Sequence, residues 1–201
     1  MLGLINRALQ CFLRDTYGPE TWARIARRAE VGAEGFEPLL IYDDALIEVV
    51  LQAATEVLAR PRDTVLEDMG TYLVSHRNLE GVRRLLRFGG VGFVDFLQRM
   101  EDLPEHARLG LPDLELPQFD LKDLGDGEFL LNVSQLVPGV GHLIVGLLRA
   151  MADDYGALVL SEHRGVADGG EQVAVTLLDH SYAAGRRFAL IMAGEPCRGA
   201  R

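Results

Sequence analysis

The chain has 201 residues, a hydrophobic fraction of 48% and a formal net charge of −10 at pH 7. That is enough apolar material for one domain, or for two small subdomains sharing a core, while the acidic balance argues against general nucleic-acid binding and against docking on anionic membranes. Only Cys11 and Cys197 are present, far apart and outside any C-x-x-C, so a zinc ribbon, a redox motif and a disulfide scaffold are not expected.

The opening "MLGLINRALQCFLRDTYG" carries charge throughout and is amphipathic, with Leu2, Ile5, Leu9 and Phe12 on one face. It reads as a helix and not as a signal peptide or membrane span, and a cytoplasmic location is expected. Gly18 turns the chain and Pro19 opens a second helix. "YDDALIEVVLQAATEVLA" predicts a third, capped by Asp43 or Asp44, with Leu46, Val49, Val50, Ala53 and Val57 facing inward. A fourth begins near Pro61, and its mid-helix Gly70 marks a hinge or a close approach. The arginines of "ARIARR" and "GVRRLLR" read as solvated helix faces. A fifth helix presents Phe93, Phe96, Leu97, Met100 and Leu103. His106 would extend that stripe if the helix continued past Pro104, which disfavours helix at the residue before it.

The character then changes. "PQFDLKDLGDGEFLLNVS" predicts two short strands around a Gly-Asp-Gly turn. "VGHLIVGLLRAMADDYG" is a helix and "ALVLSEHRGVADGGEQVAVTLLD" a second hairpin. The segment from His180 onward has no clear pattern. The order predicts an α+β fold with a helical half and a mixed half. No nucleophile elbow, zinc-protease motif or phosphate-binding loop is present. The glycines of "PGVGHLIVG" open a helix without forming a dinucleotide fingerprint. The five histidines, His76, His106, His142, His163 and His180, show no metal-ligand spacing. The residues by themselves select no enzyme.

Read end to end, the chain resembles the H-NOX (haem–nitric oxide/oxygen-binding) family, which includes the regulatory domain of the soluble guanylate cyclase β subunit. The stretches that carry the resemblance are "MLGLINRALQ", "YGPETW", "IYDDALIEVVLQAATEVL", "LEDMGTYLV", "FLQRMEDLPEHARL", "PDLELPQF" and "IVGLLRAMADDYG". It implies an N-terminal helical subdomain (about 1–60) packed on a mixed subdomain (about 61–178) that holds an antiparallel sheet and one long helix. The tail, 179–201, lies outside it.

The resemblance also implies a site. His106 would be the axial ligand of a b-type haem (heme) iron, a role that suits neutral imidazole, and Pro117 the proline that presses on the porphyrin. Leu4, Ile5, Leu73 and Leu143 would line the distal side, with Leu143 where oxygen-holding members place a tyrosine. The family's Y-x-S-x-R signature, which holds the haem propionates, is here "NVSQL": Asn132, Ser134 and Leu136. Loss of the arginine removes a charge-assisted clamp worth about 2–3 kcal/mol per contact, and His142 or Arg149 would be its nearest substitutes. The implied function is a non-catalytic sensor of NO and CO. It would signal to a histidine kinase, a diguanylate cyclase or a chemotaxis receptor, with no nucleic-acid or membrane partner. The alternative is a haem-free scaffold of the same fold, acting by protein contacts or holding another apolar ligand.

Overall fold

A computed structural model describes residues 3–87, 90–110, 112–134, 137–167 and 169–186. Leu2 and Leu136 lie outside the described residues, as do Cys197 and the rest of the chain beyond 186. Among the described residues the helices are α1 (Gly3–Tyr17), α2 (Pro19–Arg28), α3 (Ala45–Leu58), α4 (Arg62–Ser75), α5 (Glu80–Arg87), α6 (Phe93–Gln98), α7 (Leu103–Gly110) and α8 (Val140–Tyr155). The strands are β1 (Phe119–Gly125), β2 (Glu128–Ser134), β3 (Leu158–Ala167) and β4 (Gly170–Asp179), in the antiparallel order β1-β2-β4-β3. The α+β expectation holds. None of these helices is long and apolar enough to cross a membrane.

Two apolar clusters organise the chain. The first joins Leu9, Phe12 and Leu13 of α1, Trp22 and Ile25 of α2, Val50 and Leu51 of α3, and Val65, Leu66, Met69 and Tyr72 of α4. The apolar period of α1 therefore faces inward as its sequence dictates. In α3, Val50 and Ala53 are buried as expected, but Val49 is 45% exposed and Ile47 takes the inward position. Leu46 and Val57 also pack on this cluster, so only Val49 departs from the expected face. The second cluster fills the space between α8 and the inner face of the sheet, with Phe129, Leu131, Val133, Val173 and Val175 against Ile144, Val145, Leu148 and Met151. Eleven of the sixteen residues of α8 are buried, which makes it the central helix of this half.

Gly70 marks a close approach. A Cβ there would run into the backbone of α8 at Leu143 and Leu147, and a Cβ on Gly146 would run into the backbone of α4 at Glu67. The two helices cross glycine to backbone, and Thr71 Oγ1 donates to the Gly146 carbonyl across the crossing at 3.3 Å.

"GVRRLLR" is not a solvated face. It forms α5, and Arg83 Nε (2.7 Å) and Arg87 Nη1 (2.8 Å) both bind the carboxylate of Asp154 near the end of α8. Asp154 is fully buried, and the guanidinium of Arg87 also covers the Tyr155 ring at 4.0 Å. The chain beyond β4 returns to this point, where Ala183 N–H donates to the Gly156 carbonyl and Arg186 N–H to that of Asp154.

Three tyrosines resist ionisation. Burial, reinforced by the 2.8 Å bond from the Tyr72 hydroxyl to Asp15, pushes the Tyr72 pKa well above the ordinary tyrosine value. Burial and the Asp68 charge raise Tyr17, and burial raises Tyr155. These phenols bind protons more tightly folded than unfolded. Their contribution to stability is therefore complete below pH about 10 and lost as pH rises above it. Alkaline titration followed at 295 nm should show these three ionising late, together with unfolding. Normal titration of all five tyrosines in the folded protein would contradict this.

Candidate functional site

His106 sits on α7, which is a new helix and not a continuation of α6. A 3₁₀ turn, Met100–Asp102, separates them. Pro104 becomes the second residue of α7, a first-turn position where a missing N–H costs nothing. The inward face of α7 is then Pro104 and Ala107, both buried. His106 lies about 200° around the helix from Pro104 and is exposed.

From there its ring lines a cleft of about 80 Å³ between α5, α6 and α7, shared with Leu85, Leu86, Phe96, Arg99, Met100 and Leu103. Among the described residues, neither the His106 ring nor the Arg99 guanidinium has a hydrogen-bond or ion-pair partner. Arg99 went unnoticed in the sequence. Its seven-residue spacing from His106 was the available signal, but the break between α6 and α7 makes such spacing unreliable.

The other expected site residues fall elsewhere. Pro117 is buried at the entrance to β1. The next residue, Gln118, donates its N–H to Ser134 Oγ at 2.7 Å, and Ser134 N–H donates back to the Gln118 carbonyl at 2.9 Å. Ser134 is thus bound to the Pro117 segment. Asn132 pairs with Asp120 and Gln172 across the sheet, and its Oδ1 is buried without a partner. Ile5, Leu73 and Leu143 are half-buried and pack on the N-terminal cluster, where Leu143 also touches the second one. Leu4 is half-buried on α1. None of these four lines the His106 cleft.

His142 and Arg149 are committed to α4. Glu67 accepts from Arg149 Nη1 at 2.7 Å, and its other oxygen lies 3.2 Å from His142 Nδ1. Behind His142, the His163 ring lies tilted against it with centroids 4.2 Å apart, and His163 Nε2 lies 2.9 Å from Glu171. Glu171 is a buried carboxylate of β4 that accepts the N–H groups of Gly139 and Gly141, at 2.6 and 2.8 Å. It caps the amino end of α8 from the sheet, where the helix dipole favours an anion. In the sequence Glu171 looked like one more polar residue of a hairpin.

The family model for Haem-NO-binding domains matches residues 2–163. The chain belongs to the H-NOX family. It is 21% identical over 163 residues to soluble guanylate cyclase 89Db of Drosophila melanogaster, a stretch covering 81% of this chain and 24% of that protein. It is 26% identical over 157 residues to soluble guanylate cyclase gcy-32 of Caenorhabditis elegans, covering 76% and 23%. The chain thus spans about a quarter of the length of the cyclases it matches. Its fold is that of the Fe(II) unliganded H-NOX protein from K. algicida, with a TM-score of 0.76 and 17% identity, covering 92% of this chain and 100% of that one. An S. oneidensis H-NOX structure gives 0.75 and 16%, covering 90% and 98%.

H-NOX proteins are haem-based gas sensors as a family, and the described residues can be tested against that group. The chemistry of the His106 cleft suits haem in part, with one imidazole, one guanidinium and apolar walls. Its size does not, because pockets for drug-sized ligands have about 300–1,000 Å³. Nor does the far end. Ser134 and Asn132 still offer an O–H and an amide N–H₂, but His142 and Arg149, the substitutes for the missing arginine, are held by Glu67. In this conformation the residues do not fit a haem. Among the described residues no cluster of three or more His, Cys, Asp or Glu side chains could hold a bare metal ion.

Proposed function

We propose that this H-NOX chain is a regulatory module that signals by contact with a partner protein and does so without a histidine-bound haem. The observation that carries this reading is the cleft at His106. It has about 80 Å³, and Leu4, Ile5, Leu73 and Leu143 stand outside it. The module is read as a sensor and not a catalyst, because its likeness to the cyclases covers only about a quarter of their length, within the Haem-NO-binding match. Its partner is a signalling enzyme or receptor, such as a histidine kinase, a diguanylate cyclase, a chemotaxis receptor or a guanylate cyclase. The acidic surface and the two separated cysteines support a cytoplasmic setting.

A second reading has its own support. Among the described residues the His106 imidazole has no partner, and it faces an apolar wall, which favours a sensor in which His106 holds a b-type haem. There the haem would supply a ferrous iron for NO and CO. Pro117 would bear on its edge, and the apolar Leu143 would offer no donor to O₂.

Titration with haemin followed by reduction separates the two. The first reading expects identical spectra for wild type and His106→Gly, with no change under CO or NO. A ferrous Soret band that shifts with CO and NO, and that His106→Gly abolishes or makes dependent on added imidazole, would sink it and establish the second.

A further inference from the structure

The cleft at His106 has the chemistry of a binding site in its own right. Its walls are Leu85, Leu86, Phe96, Met100 and Leu103, and its two polar groups are Arg99 and His106, both exposed to solvent. Apolar floor and cationic rim together select an amphiphile with an anionic head. The size limits the tail. A cavity of roughly 150 Å³ accepts a benzene ring, so about 80 Å³ admits the end of a single unbranched alkyl chain.

The rim is free for such a head. Elsewhere on this acidic chain, Arg28, Arg60, Arg62 and Arg149 each hold a carboxylate. Arg99 holds none. Of the carboxylates near it in sequence, Asp95 and Glu101 are occupied by backbone donors, and Asp102, three residues on, forms no ion pair with it among the described residues. Asp95 accepts from Val91 and Gly92, and Glu101 accepts from Leu121 at 2.8 Å. A planar guanidinium suits a carboxylate through two parallel hydrogen bonds, and the His106 imidazole can supply a further N–H.

We propose that the cleft between α5, α6 and α7 binds a short-chain alkyl carboxylate. The chain lies against Leu85, Leu86 and Phe96, Arg99 clamps the head, and His106 donates beside it. The proposal rests on the haem-free reading and adds an effector to it. Occupancy would bear on α5, which Arg83 and Arg87 tie to Asp154 of α8, so the ligand has a mechanical route to the central helix.

The test uses the full chain without added haem, sodium pentanoate as probe and pentanamide as its neutral isostere, read by calorimetry. Saturable pentanoate binding is expected, weakened about tenfold or more by Arg99→Gln. Pentanamide should bind weakly and be indifferent to that change. Leu85→Asp, at a half-exposed wall position, should abolish pentanoate binding. Both variants should keep the wild-type thermal midpoint without ligand, since both sites are exposed. No saturable binding at millimolar pentanoate, equal affinity for pentanamide, or an unchanged affinity in Arg99→Gln would each overturn the proposal. Haemin that competes with pentanoate and requires His106 would assign the carboxylate chemistry to a porphyrin propionate, and would overturn it too. Failure of pentanoate to bind leaves the haem-free reading intact, because that reading stands or falls on the absorption spectrum.

Discussion

Asp154→Ala is expected to lower the unfolding free energy by about 3–5 kcal/mol. Asp154 is fully buried and accepts charge-assisted bonds from Arg83 and Arg87, whose side chains are themselves almost buried. The carboxylate alone would be costly to desolvate, but the pair of guanidinium groups compensates it. Removing the acid takes away the buried carboxylate that both cations bind in a nearly dry site, and that lost compensation makes the loss large. Arg87 also donates to the Asp154 carbonyl, so the end of α8 and the returning segment at Arg186 loosen together. Urea unfolding followed by circular dichroism should show a midpoint lower by about 1–3 M. A triple apolar replacement, Asp154→Leu with Arg83→Met and Arg87→Met, should recover much of the loss. A loss below about 1 kcal/mol in the single variant would show that the site is wetter than the structure describes.

Gly70→Ala should destabilise by about 1–2 kcal/mol, against the usual preference of helices for alanine. Intrinsic propensity alone favours the change by up to about 1 kcal/mol. The added methyl, however, meets backbone at Leu143 and Leu147, which no side-chain rotation can move aside. Overpacking of this kind costs about 1–3 kcal/mol or more, so the clash wins. Gly81 supplies the internal control. It lies within α5, and nothing stands within 4 Å of a Cβ built there, so Gly81→Ala should stabilise by about 0.5–1 kcal/mol. Thermal unfolding of the two variants side by side should move the midpoint in opposite directions. A neutral or stabilising Gly70→Ala would mean that α4 and α8 can separate freely.

Where burial has a regular period, the sequence was a sufficient guide. The spacing of Leu9 and Phe12, the long apolar run from Val140 to Met151 and the Gly-Asp-Gly turn at 125–127 all lead to the elements observed. The sheet order was not legible. Nothing local says that β4, rather than β3, pairs with β2, because that choice is made by the packing of both hairpins on α8. Charge was the least legible. Arg83 and Arg87 sit in a sequence that looks wholly solvent-facing, and only Asp154, about seventy residues away, takes them inside. The geometry of the site was hard to read for a similar reason. Whether His106 faces inward depends on where α7 begins, and the 3₁₀ turn before Leu103 shifts the phase of every residue after it. A pattern matched by residue type cannot carry that phase.

The glycine crossing of α4 and α8 also limits how the two halves can move. With backbone against backbone at Gly70 and Gly146, the helices cannot approach further. Glu67 grips both His142 and Arg149, two turns apart on α8, which opposes sliding. A rigid tilt of α8 would pivot at this crossing, near the middle of the helix. A sixteen-residue helix is about 24 Å long, so a tilt of about 5° swings each end by about 1 Å in opposite senses. One end carries the cap supplied by Glu171 and the other the knot at Asp154. Such a tilt would carry the Glu171 cap and the Asp154 knot in opposite senses.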